Sequence, residues 1–293
     1  MATLAALLAA GCGDADKSAR VAAAAKSDRL VDLDQRPPLV NSLAYDERTK
    51  DYLLTTNRGF FRIDPTDDSV TRVDSTVAAG SRSSKIGKFL ELDVDDKGGL
   101  VGSGHPDQRT LPQYLGFLRS DDGGSTWQVV SRLGDADLHK IVFKHGRLYA
   151  WDAVLSALII SQDGGRTFTE RFTPRGLIID FEVDPASPDR ILAATEDTLF
   201  RSEDAGKTWR PLLREEGSRL AWPTPDRLYL AVADGTVSRS RDGAENFERV
   251  GRVGGEPAVL DPASAERVDM ALSDGTILHT DDGGVTWEER FRP

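Results

Sequence analysis

The sequence has few of the residues that stabilise small or metal-rich domains. It holds one cysteine in 293 residues, two methionines, four histidines and 7% aromatic residues. A single cysteine excludes an intramolecular disulfide. Basic residues are also outnumbered, since 37 Lys and Arg face 48 Asp and Glu and give a net charge of −11 at pH 7. An acidic surface repels phosphate backbones, so we expect no nucleic-acid binding.

Helical periodicity is also missing, and a short repeated pattern takes its place. In five segments a Ser or Thr is followed by an Asp two residues later and by an aromatic residue seven residues later. We call these segments the Asp turns; they are Ser120–Trp127, Ser161–Phe168, Ser202–Trp209, Ser240–Phe247 and Thr280–Trp287. Their first residues are 41, 41, 38 and 40 positions apart. A period of about 40 residues with alternating flanks is typical of a β-propeller with one blade per repeat.

The spacing predicts an all-β, six-bladed β-propeller over residues 28–293, in which residues 28–33 pair with the last blade and close the ring. A seventh blade within residues 75–100 is the alternative. We also expect the five aromatic residues to occupy equivalent positions in successive blades.

The chemistry of each Asp turn favours a structural role. In Asp163-Gly164-Gly165 the glycines permit positive φ, and the carboxylate can accept hydrogen bonds from nearby backbone N–H groups. Calcium binding would need more oxygen ligands than one Asp per turn supplies. The predicted structural residues are Asp122, Trp127, Asp163, Phe168, Asp204, Trp209, Asp242, Phe247, Asp282 and Trp287.

These segments resemble Asp-boxes, also called BNR repeats, which occur in sialidases, sortilin-type receptors, photosystem II assembly factors and secreted bacterial proteins. The resemblance is strong over residues 120–293 and weak over residues 39–119. It implies a sialidase-like propeller and says little about activity. The run Gly102–Asp107 and the motif Asp137–His139 also resemble uncharacterised bacterial lipoproteins labelled glycosyl hydrolase.

The longest polar excursion between repeats predicts the binding site. Residues 102–112 read as a loop that carries His105, Asp107 and Arg109, and long loops tend to carry function. His139 and Asp152 belong to the neighbouring blade and are expected to converge on the same part of the channel mouth. The alternative is that this loop is a rigid turn whose His and Asp bind only its own backbone. We expect no cofactor, with a metal near His105 and His139 as a minor possibility.

Two function classes stay open. The favoured one is a non-catalytic propeller that binds a glycan, protein or small ligand at the channel face. The alternative is a sialidase-like glycoside hydrolase. The resemblance implies that a sialidase needs three arginines, a Tyr activated by a Glu and an Asp acid, whereas other glycoside hydrolases need a pair of carboxylates, for which Asp107, Asp152 and Asp180 are the candidates. Phe61-Arg62-Ile63-Asp64 departs from the sialidase signature because it lacks the proline, so we interpret Arg62 as a surface residue.

The first residues resemble a lipoprotein signal. Residues 4–11 are apolar and small and precede Cys12, which predicts a signal peptide over residues 1–12, lipid on Cys12 and a tether over residues 13–27. No Lys or Arg precedes the apolar run, and Ala9 stands where Leu is commonest. The alternative is an Ala-rich terminus with a free thiol. The expected protein is a monomeric, extracytoplasmic, membrane-anchored lipoprotein of a bacterium, attached through lipid alone.

Overall fold

The computed structural model describes residues 38–95 and 97–293. This part of the chain forms 25 strands and no helix. Within it, no helix is long and apolar enough to cross a membrane. The predicted signal segment, the tether, Cys12 and the closing strand over residues 28–33 all lie outside the described residues.

Five of the six sheets are regular blades of four antiparallel strands in sequence order. Sheet 1 contains β1 (Val40–Asp46), β2 (Asp51–Thr56), β3 (Gly59–Asp64) and β4 (Ser69–Val73). Sheet 2 contains β5 (Thr76–Ala79), β6 (Arg82–Val94), β7 (Leu100–Pro106), β8 (Phe117–Ser120) and β9 (Thr126–Ser131). Sheet 3 contains β10 (Leu138–Lys144), β11 (Arg147–Asp152), β12 (Ala157–Ser161) and β13 (Thr169–Arg171). Sheet 4 contains β14 (Ile178–Val183), β15 (Ile191–Thr195), β16 (Leu199–Ser202) and β17 (Arg210–Leu213). Sheet 5 contains β18 (Arg219–Thr224), β19 (Arg227–Ala231), β20 (Thr236–Ser240) and β21 (Glu248–Arg252). Sheet 6 contains β22 (Pro257–Pro262), β23 (Val268–Leu272), β24 (Ile277–Thr280) and β25 (Glu288–Phe291).

Sheet 2 departs from the blade pattern. Strand β5 pairs antiparallel with the start of β6 and parallel with β9, so the five strands close on themselves. The propeller prediction is confirmed, with five regular blades. A count of six blades is not confirmed, because sheet 2 closes on itself and is not a regular four-stranded blade. A seventh blade is not confirmed either, because residues 75–100 supply β5 and the long β6 of sheet 2 and no separate four-stranded blade.

The hydrophobic core of the described residues lies between sheets. Each of six clusters joins two neighbouring sheets, and the cluster of Leu43, Tyr52, Ala271 and Phe291 joins sheet 1 to sheet 6. A strand with sheets on both sides is buried on both sides, which is why all of β12 is buried. The Tyr45 amide donates to Asp261 Oδ2 at 2.8 Å and the Tyr52 hydroxyl donates to Asp269 Oδ1 at 2.7 Å across the same junction.

The segment read as a loop over residues 102–112 is partly a strand, which corrects the sequence interpretation. Residues 102–106 belong to β7, and the loop spans 107–116. Glycine permits this pairing, because a Cβ on Gly102 would approach Glu91 O to 2.6 Å and one on Gly104 would overlap Lys88 O. Sequence composition alone reads Gly-Ser-Gly as irregular, whereas here it allows close strand approach.

Candidate functional site

The up-and-down order of strands gives the propeller two different faces. Each innermost strand starts on one face, which we call the loop face, and ends on the other, which we call the turn face. The five Asp turns join third and fourth strands and therefore lie on the turn face. The loop over residues 107–116 and the connections over 132–137 and 172–177 lie on the loop face.

The loop face brings His105 and His139 onto one carboxylate. His105 Nε2 lies 2.9 Å from Asp137 Oδ1, and His139 Nε2 lies 3.3 Å from Asp137 Oδ2. The Tyr114 ring contacts His105 edge-on with centroids 5.7 Å apart. Both imidazoles keep exposed area, with side chains 26% and 45% exposed. The arrangement forms a polar cluster at the channel mouth, which we call the histidine pair.

Asp137 was absent from the residues predicted for this site. Burial opposes its ionisation, but hydrogen bonds from His105 and His139 outweigh this and hold the pKa of Asp137 below its usual range. The spacing in the sequence could have suggested Asp137, since it is two residues before His139 and just precedes β10.

Asp152 holds the backbone of Asp137 in position through a hydrogen bond. Its side chain is fully buried. Asp152 Oδ1 accepts from the amides of Asp137 at 3.1 Å and Val154 at 3.0 Å, while Arg132 Nη2 donates to Asp152 Oδ2 at 3.3 Å. A carboxylate with both oxygens engaged by its own fold positions Asp137 and cannot itself reach a ligand.

Asp107 and Arg109 are not brought to the histidine pair. Both are exposed beyond the end of β7. Asp107 Oδ1 accepts from Ser84 Oγ at 3.2 Å, so it is directed to the β5–β6 side of sheet 2. Among the described residues no group of three or more His, Cys, Asp or Glu side chains could hold a metal ion. The Asp137 carboxylate already stands between the two imidazoles.

The central channel forms a second polar region below the histidine pair. It encloses about 640 Å³ and is lined by residues of all six innermost strands, β1, β6, β10, β14, β18 and β22. His139 lies at its wall, so the histidine pair and the channel are continuous. Two ion pairs cross the channel wall between sheets 3 and 4: Lys140 Nζ with Asp180 Oδ1 at 3.3 Å, and Lys144 Nζ with Glu182 Oε2 at 2.7 Å.

Three further carboxyl groups line the channel without a cation of their own: Glu91, Asp93 and Asp261. None of them forms an ion pair with a described residue. Burial raises the pKa of Asp93 to about 6, and burial raises the pKa values of Glu91 and Asp261 well above their ordinary ranges. Neighbouring carboxylates add to the shift in each case, while Lys140 opposes it.

Sequence reasoning missed these channel residues. The signal was present as Glu91-x-Asp93 and Asp180-x-Glu182, because acidic residues two apart in a strand point to the same side. A strand whose other residues are apolar rarely carries two such charges unless that side faces solvent or a ligand.

The turn face shows how the Asp turns are built. The Asp122 carboxylate accepts from the Thr126 amide at 2.8 Å, the Thr126 hydroxyl at 2.5 Å and the Ser120 hydroxyl at 2.9 Å. The hydrogen bonds from Thr126 lower the pKa of Asp122. Equivalent bonds recur in the other four turns, at Asp163, Asp204, Asp242 and Asp282. At Asp242 the side-chain amide of Asn246 replaces the Thr hydroxyl as donor. These carboxylates are therefore engaged by their own turns.

The aromatic residues of the turns are less alike than their spacing suggests. All five stand at or just before the start of an outermost strand. Trp127 alone is fully buried, on a strand that pairs with β5, with its ring 5.3 Å from that of Phe89. The other four, Phe168, Trp209, Phe247 and Trp287, are partly buried. Trp209 Nε1 donates to Phe172 O rather than to its own turn.

Arg62 joins sheet 1 to sheet 2 through a hydrogen bond and is not a surface residue. Its Nη2 donates to Gly123 O in the Asp turn of sheet 2 at 3.1 Å, and its side chain is 19% exposed. Arg201 and Arg239 make the matching bonds to Gly243 O and Gly283 O of the following sheets. The sequence could not reveal this, because the donor and the turn are separated by about one blade.

Comparisons with known proteins define the fold class and leave the particular family open. No protein-family model matches the chain. A curated relative, the dispase autolysis-inducing protein of Streptomyces mobaraensis, is 32% identical over 115 residues, which are 39% of this chain and 30% of that protein. The match thus spans less than a third of the relative's length.

Solved structures place the chain among the β-propellers. The WD40 propeller domain of Doa1 is similar with a TM-score of 0.61 and 11% identity, over 87% of this chain and 83% of that one. A chain of a nidogen/laminin complex gives 0.59 and 10%, over 83% and 93%. The GH74 enzyme of Niastella koreensis gives 0.55 and 16%, over 87% of this chain and 46% of that one. At these identities the likeness shows the fold alone.

Proposed function

We propose that this protein is a non-catalytic binding propeller that takes a polar ligand or a protein segment at its loop face. The ligand contacts the histidine pair and enters the central channel. The chain is also proposed to be a six-bladed Asp-box propeller in which sheet 2 counts as the sixth blade. Lipid on Cys12 would hold it at the outer side of a bacterial membrane.

One observation carries this proposal. Both imidazoles of the histidine pair keep exposed area, and one of them, His139, lines the central channel of about 640 Å³. That volume lies within the range of small-ligand pockets, about 300–1,000 Å³. The turn carboxylates, by contrast, are occupied by their own backbone.

Exposed apolar side chains favour a protein segment as one class of ligand. Within the described residues, four exposed apolar side chains lie in loops of sheets 3 and 4 on the loop face: Val154, Leu155, Phe172 and Leu177. Exposed apolar side chains grouped on one face are typical of interaction surfaces. A propeller of similar fold was solved in a nidogen/laminin complex, and the curated relative is named for inducing autolysis of a protease. These two names support the proposal that this chain binds a protein.

Glycoside hydrolysis is kept as the second candidate because of Glu91 and Asp93. A general acid needs a carboxyl group whose pKa is raised, and both groups meet that condition beside a cavity. Two other carboxylates are engaged by the fold, since Asp152 is fully buried and Asp180 accepts from the amides of Phe181 and Leu220. We therefore place hydrolysis second.

The test uses the full chain and a glycan array together with a peptide library. Wild type is compared with His105→Ala/His139→Ala, and His145→Ala serves as the control on the turn face. We expect a ligand that binds wild type and His145→Ala but not the double variant, and that is released unchanged. Release of cleaved glycan, abolished by Asp93→Asn, would favour the hydrolase. Equal binding by all three forms would contradict a site at the histidine pair.

A further inference from the structure

The channel acids divide into two groups with different surroundings. Asp180 and Glu182 of β14 are neutralised by Lys140 and Lys144. Glu91, Asp93 and Asp261, which lie on β6 and β22, have no ion-pair partner among the described residues. Asp93 and Asp261 are half-buried, whereas Glu91 is buried with 6% of its area exposed.

The hydrogen bonds of these three groups leave much of their capacity unused. Asp93 Oδ1 accepts only from the neighbouring Val94 amide at 2.7 Å, and Asp261 Oδ2 accepts from the Tyr45 amide at 2.8 Å. The Glu91 carboxyl has no hydrogen-bond partner in the described part of the chain, although it lines the cavity. A carboxyl group that faces a cavity without a protein partner is available to accept hydrogen bonds from a ligand there.

Several charged groups face these acids from the surrounding strands. They are Lys140 of β10, Asp180 and Glu182 of β14, Asp261 and Asp269 of sheet 6, and Asp95 just after β6. Arg219 of β18 also reaches the wall, but its Nε donates to Ala258 O at 2.6 Å. Acids outnumber cations here, so the wall has a deficit of positive charge that a ligand can supply.

Resting on the binding function proposed above, we propose that Glu91, Asp93 and Asp261 form a subsite for an organic cation. The class is an alkylammonium group, presented by a lysine side chain of a bound segment or by a free diamine. The charge would sit between Asp93 and Asp261, with Glu91 completing the cage. A bare metal ion fits less well, because no three such groups in the described residues are arranged to coordinate one. An alkylammonium needs no tight coordination sphere, since its three N–H donors reach separate acceptors.

The raised pKa values of the three acids give the proposed subsite a measurable signature. Burial and mutual repulsion favour the protonated forms of Glu91, Asp93 and Asp261. A bound cation favours the ionised forms and lowers these pKa values. Binding is therefore expected to release protons, which calorimetry detects as a heat that changes with the ionisation enthalpy of the buffer.

Calorimetry on the full chain tests the subsite. The probes are Nα-acetyl-lysine methylamide, its neutral isostere Nα-acetyl-norleucine methylamide, and 1,4-diaminobutane. We expect both ammonium probes to bind with proton release and the norleucine probe not to bind. The tighter of the two ammonium probes identifies the source of the cation. Raising the salt concentration should weaken both.

Two variants and a control separate the subsite from the fold. Glu91→Gln and Asp261→Asn should each weaken ammonium binding by about tenfold or more. Glu170→Gln, an exposed acid on β13, makes the same change of charge and should bind as wild type does. Unfolding midpoints at or above that of wild type would show that Glu91→Gln is folded.

Three results would overturn the subsite. These are no binding of either ammonium probe, equal binding of the norleucine probe, and unchanged affinity in Glu91→Gln. Equal binding of norleucine would still leave the channel as a binding site and so would spare the broader function. Loss of ligand from the glycan array or peptide library in the histidine double variant is an independent result, so the two proposals fail separately.

Discussion

The turn face and the loop face of this propeller use polar groups in opposite ways. On the turn face each of the five Asp carboxylates accepts hydrogen bonds from equivalent positions of its own turn. On the loop face and in the channel, His139 stays partly exposed and Glu91 has no partner among the described residues. Repetition therefore marks residues that stabilise the fold, and departures from repetition mark the residues available to a ligand.

The largest expected effect distinguishes two tryptophans that the repeat makes equivalent. Trp127→Ala should destabilise the protein by about 3–5 kcal/mol, because its fully buried ring packs in one cluster with Val77 of β5 and with Phe89. Trp209→Ala should cost clearly less, because Trp209 is only partly buried. Urea unfolding of both variants measures the difference. Equal losses of stability would show that the pairing of β5 with β9 does not make Trp127 more important to the fold than Trp209.

A second effect concerns the docking of an Asp turn on the preceding sheet. Gly165 has a φ of +84°, and a Cβ there would overlap the Phe117 ring. Gly165→Ala should therefore cost about 2–4 kcal/mol, from backbone strain and overpacking together. Gly146→Ala is the control, since its φ is +66° with nothing within 4 Å of the added carbon. Equal losses of stability in Gly165→Ala and Gly146→Ala would show that the close contact of Gly165 with Phe117 contributes nothing to the cost.

A third effect has an unusual dependence on pH. Burial raises the pKa of Asp93 to about 6 from 3.8, so the folded state binds this proton more tightly than the unfolded state does. The stability linked to Asp93 is thus fully present below pH 3.8 and declines as the pH rises through 6. Asp93→Asn should stabilise the protein by about 1–3 kcal/mol at high pH and by little in acid.

Thermal unfolding across a pH series measures the Asp93 effect. A gain that stays constant between acid and alkaline pH would show that Asp93 is not buried as described. Asp122 should behave in the opposite sense, since hydrogen bonds from Thr126 lower its pKa and its stabilisation is lost as the pH falls.

The sequence predicted the repeated part of this structure better than the unrepeated part. The spacing of the Asp turns indicated the propeller, and adjacent blades did bring His105 and His139 together. Asp107 and Arg109 were misplaced because their segment was read as one loop, whereas β7 continues to Pro106. That extension depends on the close approach of Gly104 to Lys88, a contact between strands that local sequence does not encode.

The channel acids escaped prediction for a related reason. Which side of an innermost strand faces the channel depends on register, and bulges shift the register near Leu90, His139 and Ala258. A one-residue shift reverses the side to which each residue points. The charged groups that shift the pKa of Glu91 through space lie partly on β10, β14 and β22, which are distant in sequence. Only the assembled ring shows which of its neighbours are cations.

Urea unfolding of Glu91→Gln and Asp122→Ala at about pH 8 tests the contrast between the faces most directly, and it needs no ligand. Asp122→Ala should lose about 1–3 kcal/mol, because the Thr126 and Ser120 donors lose their acceptor. Glu91→Gln should be as stable as wild type or more so, because it removes a buried charge without a partner. A loss in Glu91→Gln equal to that in Asp122→Ala would contradict the account, since both faces would then serve stability alike.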